Sequence, residues 1–325
     1  MIAGVAHFYA SEWLTFMLTF IPIEEKKIYV WIEHARYLNS LAESLPNTNF
    51  VFVCDREADF HELYKEIETF NNNFFFVIRA QHNRTLYNEE GEKELMFDKV
   101  SSSKEKGTFK VLIPRQSSTE KKKGHSERCT YFFAKSIDVD LQKESDLSKG
   151  IKPIHLSLVY AYEKDKPADD DQAYWYILTN MKADNLSAII NVVKIYKLRW
   201  RIEDLHKILK STCKVEDFQY KTADRLMRAI AISLVVAWRI LYISCLSKIN
   251  TEIRAKKVFT KQQINLLMRI AWKNKKKDPI NLRLAIHLIA SFGGYEERYK
   301  DEPGYLSIGY GLVKFIGCLN LLSEC

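Results

Sequence analysis

The stretch NFVFVCDREADFHELYKEIETFNNNFFFVIRA, Asn49 to Ala80, decides the fold class. Its opening, NFVFVCD, is a continuous apolar run closed by an acid, Asp55. A run without polar alternation predicts a strand covered on both faces. EADFHELYKEIETF then spaces Phe60, Leu63, Tyr64 and Ile67 along one helical face, and FFFVIRA is a second apolar strand. Strand, helix, strand in that order predicts an α/β layer, with Asp55 at the carboxyl edge of its strand.

Working outward, WIEHARYLNSLAESL (Trp31–Leu45) has a helical pattern, whereas the first twenty residues are apolar without a clear period. Downstream, GTFKVLIPRQ, CTYFFAKSIDVDL, IHLSLVYAYEKD and AYWYILTNM predict four β segments joined by polar turns. The basic turn STEKKKGHSER (Ser118–Arg128) separates the first two. After this the chain reads as helix, through Leu186–Thr212, Thr222–Ile249, Lys261–Lys273 and two late apolar segments. The expected organisation is a partial core over 1–83, a β insertion over 84–182, a core helix over 183–215 and a helical region over 216–325.

With 325 residues, 47% hydrophobic and 28% charged, the chain can bury a sizeable core. A net charge of +8 favours an anionic partner, of which nucleic acid is the commonest. The six cysteines show no metal-ligand spacing and read as reduced thiols of a cytosol. No charged n-region followed by an apolar run and a cleavage site opens the chain, so a secretory signal is not expected. The longest apolar run, AIAISLVVAWRILYISCL (Ala229–Leu246), carries Arg239 near its middle, so it is expected to be a buried core helix rather than a membrane span. KNKKKD (Lys273–Asp278) reads as a solvated basic loop.

The chemistry concentrates in YKLRWRIEDLHKILK, Tyr196 to Lys210. On one continuous helix, Tyr196, Arg199, Glu203 and Lys210 share a face. Beside them runs an apolar stripe of Ile195, Leu198, Ile202, Leu205 and Leu209. Asp55 and Glu203 are hard oxygen donors of the kind that hold Mg²⁺ in phosphoryl-transfer sites. Arg199, Lys207 and Lys210 would neutralise phosphate oxygens nearby. The same spacing also fits a solvated Glu203–Lys207 ion pair, and His206 beside it fits a structural role. No phosphate-binding glycine motif is present, which leaves a nucleotide-triphosphate or dinucleotide enzyme without footing, and the missing Gly-x-Ser-x-Gly elbow weakens the case for a serine-nucleophile hydrolase.

VCDREADF, followed about 150 residues later by Tyr-x2-Arg-x3-Glu-x6-Lys, resembles the DDE transposases of bacterial insertion sequences. The resemblance is to the branch with the Tyr-Arg-Glu-Lys signature, the insertion-sequence-four family and its transposon-five relatives. It implies an RNase H-like α/β core with an inserted all-β subdomain and a C-terminal all-helical region. It further implies that Asp55 is the second metal-binding acid and Glu203 the third, with Mg²⁺ as the ion and Mn²⁺ as the alternative. Tyr196, Arg199 and Lys210 would be the signature residues gripping DNA near the scissile phosphate, with Arg56 and Arg79 close by. Trp175 falls where the family places an aromatic that stacks on a base flipped from the terminal duplex, although a core strand residue is the competing role. The implied partners are double-stranded transposon ends and target DNA, with a homodimer in the synaptic complex and no membrane, in a bacterial cytoplasm at the nucleoid.

One departure stands out. No aspartate precedes Asp55, and Glu12, Glu24, Glu25, Glu33 and Glu43 do not follow a buried strand. The family's first acid and its N-terminal end-recognition domain have no counterpart, so the chain is expected to be an N-terminally truncated transposase, inactive alone. The rival expectations are a non-catalytic DNA-binding or dimerising fragment that inhibits full-length transposase, and an unrelated basic nuclease using Asp55 and Glu203.

Overall fold

The computed structural model describes residues 23–87, 92–113, 128–165, 172–249, 253–273, 281–296 and 302–323. The apolar leader over 1–20, most of the basic turn over 118–128 and the loop over 274–278 lie outside the described residues. These fall into two compact units that divide between Arg199 and Trp200.

The first unit is built on one six-stranded sheet, whose strands lie in the order Phe50–Cys54, Phe74–Arg79, Tyr174–Thr179, Ile154–Glu163, Arg128–Leu141 and Glu105–Ile113. Helix α1 (Ile23–Ser44) leads into β1 (Phe50–Cys54), helix α2 (His61–Ile67) and β2 (Phe74–Arg79). β1 and β2 are parallel, Phe50 opposite Phe74 and Cys54 opposite Ile78, as the strand–helix–strand pattern predicts. A hairpin of β3 (Thr85–Tyr87) and β4 (Lys93–Leu95) and a short helix α3 (Met96–Ser102) follow. Then come β5 (Glu105–Ile113), β6 (Arg128–Leu141), α4 (Glu144–Leu147), β7 (Ile154–Glu163) and β8 (Tyr174–Thr179). These long strands run antiparallel, and β8 closes back onto β2. The four β segments foreseen downstream are therefore continuous with the parallel pair, within one sheet.

Strand alternation sends two sets of side chains to two cores. Phe52 and Cys54 of β1 pack with Phe76 and Ile78 of β2 under Ala35, Leu38, Leu63 and Tyr64 of α1 and α2. Val77, Ile177, Val159 and Phe132 face the other way, against Ile189, Val192, Val193 and Tyr196 of helix α5 (Leu186–Lys197). Covering on both sides is why NFVFVCD carries no polar alternation.

The second unit is helical: α6 (Trp200–Ser211), α7 (Ala223–Ile249), α8 (Lys261–Lys273), α9 (Leu282–Phe292) and α10 (Tyr305–Ser323). Its core gathers Ile208 and Leu209 of α6, Ile240 and Leu241 of α7, Leu267 of α8, Ile286 and Ile289 of α9, and Phe315 of α10.

Two expectations are corrected here. The segment Leu186–Thr212 is two helices rather than one. The Leu198 N–H donates to Ile195 O at 2.9 Å and the Arg199 N–H to Tyr196 O at 3.0 Å, tightening the last turn before α6 begins. Helix α7 buries only one side: Ala237, Ile240 and Ser244 are covered, while Ile232 and Val235 are 68% and 66% exposed. It is the one helix among the described residues long and apolar enough to cross a membrane, and its Arg239 is exposed.

Helices α9 and α10 approach at backbone distance. A Cβ on Gly311 would sit 2.0 Å from Ile289 O, whereas one on Gly317 of the same helix meets nothing within 4 Å. Gly311→Ala is expected to cost about 1–3 kcal/mol through overpacking, and Gly317→Ala to be neutral or to add up to about 1 kcal/mol through helix propensity. Urea unfolding followed by circular dichroism checks the pair, and equal midpoints for the two variants would refute the close approach.

Candidate metal and DNA-contact site

Asp55 follows the last residue of β1 and caps the 3-10 turn Arg56–Ala58, its Oδ1 accepting from the Glu57 N–H at 3.0 Å. The side chain is half-buried at the carboxyl edge of the parallel pair, where α/β sheets place reactive groups. Arg56 is exposed on the same turn. Arg79 ends β2, and its Nη2 donates to Tyr174 O at 3.3 Å, bridging β2 to β8.

Four residues on, Asp59 has the opposite environment, only 2% exposed. It accepts from Tyr64 Oη at 2.6 Å and from the Gln81 and His82 N–H groups at 2.6 and 3.0 Å. Arg84 Nη2 lies 2.6 Å from Asp59 Oδ1. Burial pushes this carboxyl up, but the Arg84 guanidinium and the other donors more than offset it, leaving it below the ordinary range. Of the acids in DREAD, Asp59 is thus the anchor that ties the turn after β1 to the chain leaving β2. Sequence spacing did not single it out, because an acid in an acid-rich turn carries no sign of burial.

The break at Leu198–Arg199 changes the phase of the signature segment. In α5 the buried stripe is Ile189, Val192, Val193 and Tyr196, and on an unbroken helix it would continue toward Trp200, Glu203 and Lys207. Helix α6 instead buries Ile208 and Leu209, leaving Glu203, Lys207 and Lys210 exposed. The two expected stripes hold in α6 and are reversed at the end of α5. There Tyr196 is 3% exposed in the core and Leu198 is 40% exposed.

Trp175, on β8, faces α5, stacked on Phe132 at 5.1 Å and edge-on to Tyr196 at 6.2 Å. It is half-buried, with its ring at the border of the core. Lys210 pairs with Glu216 at 2.6 Å, both 62% exposed, a pair of little energetic consequence. Burial, and then the nearby Lys210 charge, hold His206 below its ordinary range while Glu203 acts against them, so the imidazole is neutral at pH 7. The sheet unit therefore holds Asp55, Arg56, Arg79, Trp175, Tyr196 and Arg199, and the helical unit holds Glu203, Lys207 and Lys210.

Among the described residues no group of three or more His, Cys, Asp or Glu side chains is arranged to hold a metal ion. Glu24, Glu25, Glu33 and Glu43 all lie on helix α1, so no acid upstream of Asp55 ends a strand among the described residues.

The model of the transposase DDE domain family matches residues 33–239, more than half of the chain. The chain belongs to this family of DDE transposases. The match takes in Asp55 and Glu203, the whole Tyr196–Lys210 segment and all six strands of the sheet. Transposases of this family act on DNA and use divalent metal ions for phosphodiester hydrolysis and transesterification.

The Asp59 anchor has a definite pH signature. A folded-state pKa below the unfolded value stabilises the fold above about pH 4, and that stability is lost as the pH falls through the depressed value. Asp59→Asn, which leaves Arg84 without its counter-charge, is expected to cost about 3–5 kcal/mol at pH 7. The deficit should shrink by pH 3, below the ordinary carboxylate value, where the unfolded chain's Asp59 is already largely protonated. Urea titrations at both pH values test this, and a pH-independent deficit would refute it.

Proposed function

We propose that this DDE transposase belongs to the insertion-sequence-four branch with the Tyr-Arg-Glu-Lys signature and serves cut-and-paste transposition. The supporting observation is the order of the two carboxylates. Asp55 ends a parallel strand buried on both faces, and Glu203 opens the helix that follows the last sheet-packed helix, both inside the matched region. The reaction is hydrolysis at the transposon end, attack by the freed 3′-hydroxyl to form a hairpin, hairpin opening, and strand transfer into target DNA. Water and DNA hydroxyls are the nucleophiles, so the protein forms no covalent bond to DNA.

In this reading Asp55 and Glu203 are the metal donors, for Mg²⁺ or Mn²⁺. They are right in kind but too few, because two carboxylates hold a metal pair poorly, and among the described residues no group of three or more His, Cys, Asp or Glu side chains is arranged to hold a metal ion. The activity proposed for this polypeptide by itself is DNA binding without cleavage. Arg56, Arg79, Arg199, Lys207 and Lys210 contact phosphates, and Trp175 stacks on a flipped base with Tyr196 holding it from inside the core. The protein works as a homodimer at the nucleoid, in the cytoplasm. Residues 1–83, 84–182 and 183–215 contribute to the catalytic part and 216–325 to pairing.

A second reading has an observation of its own. Helices α7 and α10 leave Ile232, Val235, Val313 and Leu321 at least 66% exposed, apolar side chains suited to a protein partner. Pairing there with a transposase that carries a full donor set would inhibit that transposase, since the described residues of this chain supply only the two proposed donors.

Purified chain should bind duplex DNA with an affinity that falls steeply with salt and show no Mg²⁺-dependent nicking. Robust cleavage that Asp55→Ala abolishes would overturn the inactive assignment. Retention of a tagged, intact relative by this chain, lost in Val235→Asp, would favour the inhibitory reading.

A further inference from the structure

The outer half of the sheet presents an unusual face. Register places Lys110 beside Tyr131, Phe133 beside Tyr162, and Tyr162 beside Tyr174. Paired residues project to the same side of a sheet, and their sequence neighbours Phe109, Phe132, Ala161 and Trp175 belong to the opposite face, under α5. One-sided antiparallel strands ordinarily turn polar side chains outward. Here the outward side chains are aromatic, with Tyr131 55% and Tyr174 45% exposed and Phe133 and Tyr162 half-buried.

The rings form an ordered array. Tyr160 stacks on Tyr162 at 4.5 Å and on Tyr176 at 4.3 Å, and Phe133 lies 5.3 Å from Tyr162. Phe97 of α3 stacks on Tyr176 at 4.0 Å and closes one end. Lysines are interleaved with the rings: Lys135 Nζ lies 5.9 Å from the Tyr162 ring centre and Lys164 Nζ 5.8 Å from that of Phe133. Among the described residues whose strand register places them on this face, the carboxylate is Glu105, which accepts from Tyr162 Oη at 3.3 Å.

Flat rings available for stacking, with cations within phosphate reach of them, match a ligand that alternates π-faces and negative charges. We infer that this face binds an unpaired DNA strand, its bases stacking on Tyr131 and Tyr174 and its phosphates meeting Lys110 and Lys164. The site is separate from Trp175, which projects from the other face. Duplex DNA, whose bases are stacked internally, gains little there beyond the charge. The choice of DNA rests on the transposase reading; the preference for unpaired bases rests on the array itself.

Fluorescence anisotropy with a labelled twelve-residue oligothymidylate and a labelled duplex of unrelated sequence tests this on the full chain. Tyr131→Ala/Tyr174→Ala should weaken oligothymidylate binding about 5- to 150-fold for each stacked base lost and change duplex binding less than about twofold. Tyr131→Phe/Tyr174→Phe should bind both probes as wild type does. Unchanged oligothymidylate binding in the alanine double variant overturns the proposal, as does an equal loss on both probes. A wild-type dimer that the alanine variant dissolves without altering oligothymidylate affinity would assign the face to a second copy instead. Absent duplex binding with intact, tyrosine-dependent oligothymidylate binding would count against the transposase reading alone.

Discussion

Everything in the sheet unit depends on where β2 sits. It is the strand at which parallel pairing, with β1, meets antiparallel pairing, with β8. Val77 and Ile78 are fully buried on its opposite faces, so β2 belongs to both cores of the unit. On one side it holds β1 in the register that delivers Asp55 to the sheet edge. On the other it fastens the four long antiparallel strands, and through them Trp175 and the tyrosine face. Thr179 Oγ1 donates to Phe76 O, and Asn180 Oδ1 accepts from the Phe76 N–H at 2.9 Å, so the seam is stitched by side chains beyond the last ladder bond. A buried polar pair of this kind is costly to leave half made, which makes the β2–β8 register sharply defined.

Much of this was legible in the residues. The unbroken apolar runs of β1 and β2 announced burial on both faces, and Asp55 fell at the strand end where periodicity put it. What escaped detection has identifiable causes. The break before Trp200 carries no glycine, proline or capping residue, because it arises from two cores asking one segment to bury two different stripes. Local pattern sees only one stripe at a time, so it placed Tyr196 on the polar face when the ring is in fact core. Likewise the anchoring role of Asp59 depends on Arg84 and on backbone groups more than twenty residues away, a coincidence in space with no signature in spacing. The apolar composition of α7 read as interior, yet one flank of it is open.

The two sides of the antiparallel strands divide the labour differently. Under α5, Trp175, Phe132 and Tyr196 form an aromatic cluster whose members fix one another. On the reverse side the rings are arranged as a row, held by stacking and by lysines lying over them, with helix α3 covering only the Tyr176 end. Aromatic residues favour strands on packing grounds alone, which is why composition could not distinguish a core cluster from a surface array. Register does, since it tells which side each ring must take.

The seam between β2 and β8 also imposes an order on synthesis. Arg79 and Tyr174 meet across it although 95 residues separate them. At ribosomal rates of about 5–20 residues per second, β2 leaves the tunnel roughly 5–20 seconds before its antiparallel partner exists. During that interval an apolar strand edge has no mate, and the β1–β2 pair with its two helices must persist as a half-formed sheet. Closing so long a loop is slow compared with local helix formation. The nascent chain therefore passes through a window in which binding by a chaperone, or mispairing with a neighbouring copy on the same messenger, competes with folding.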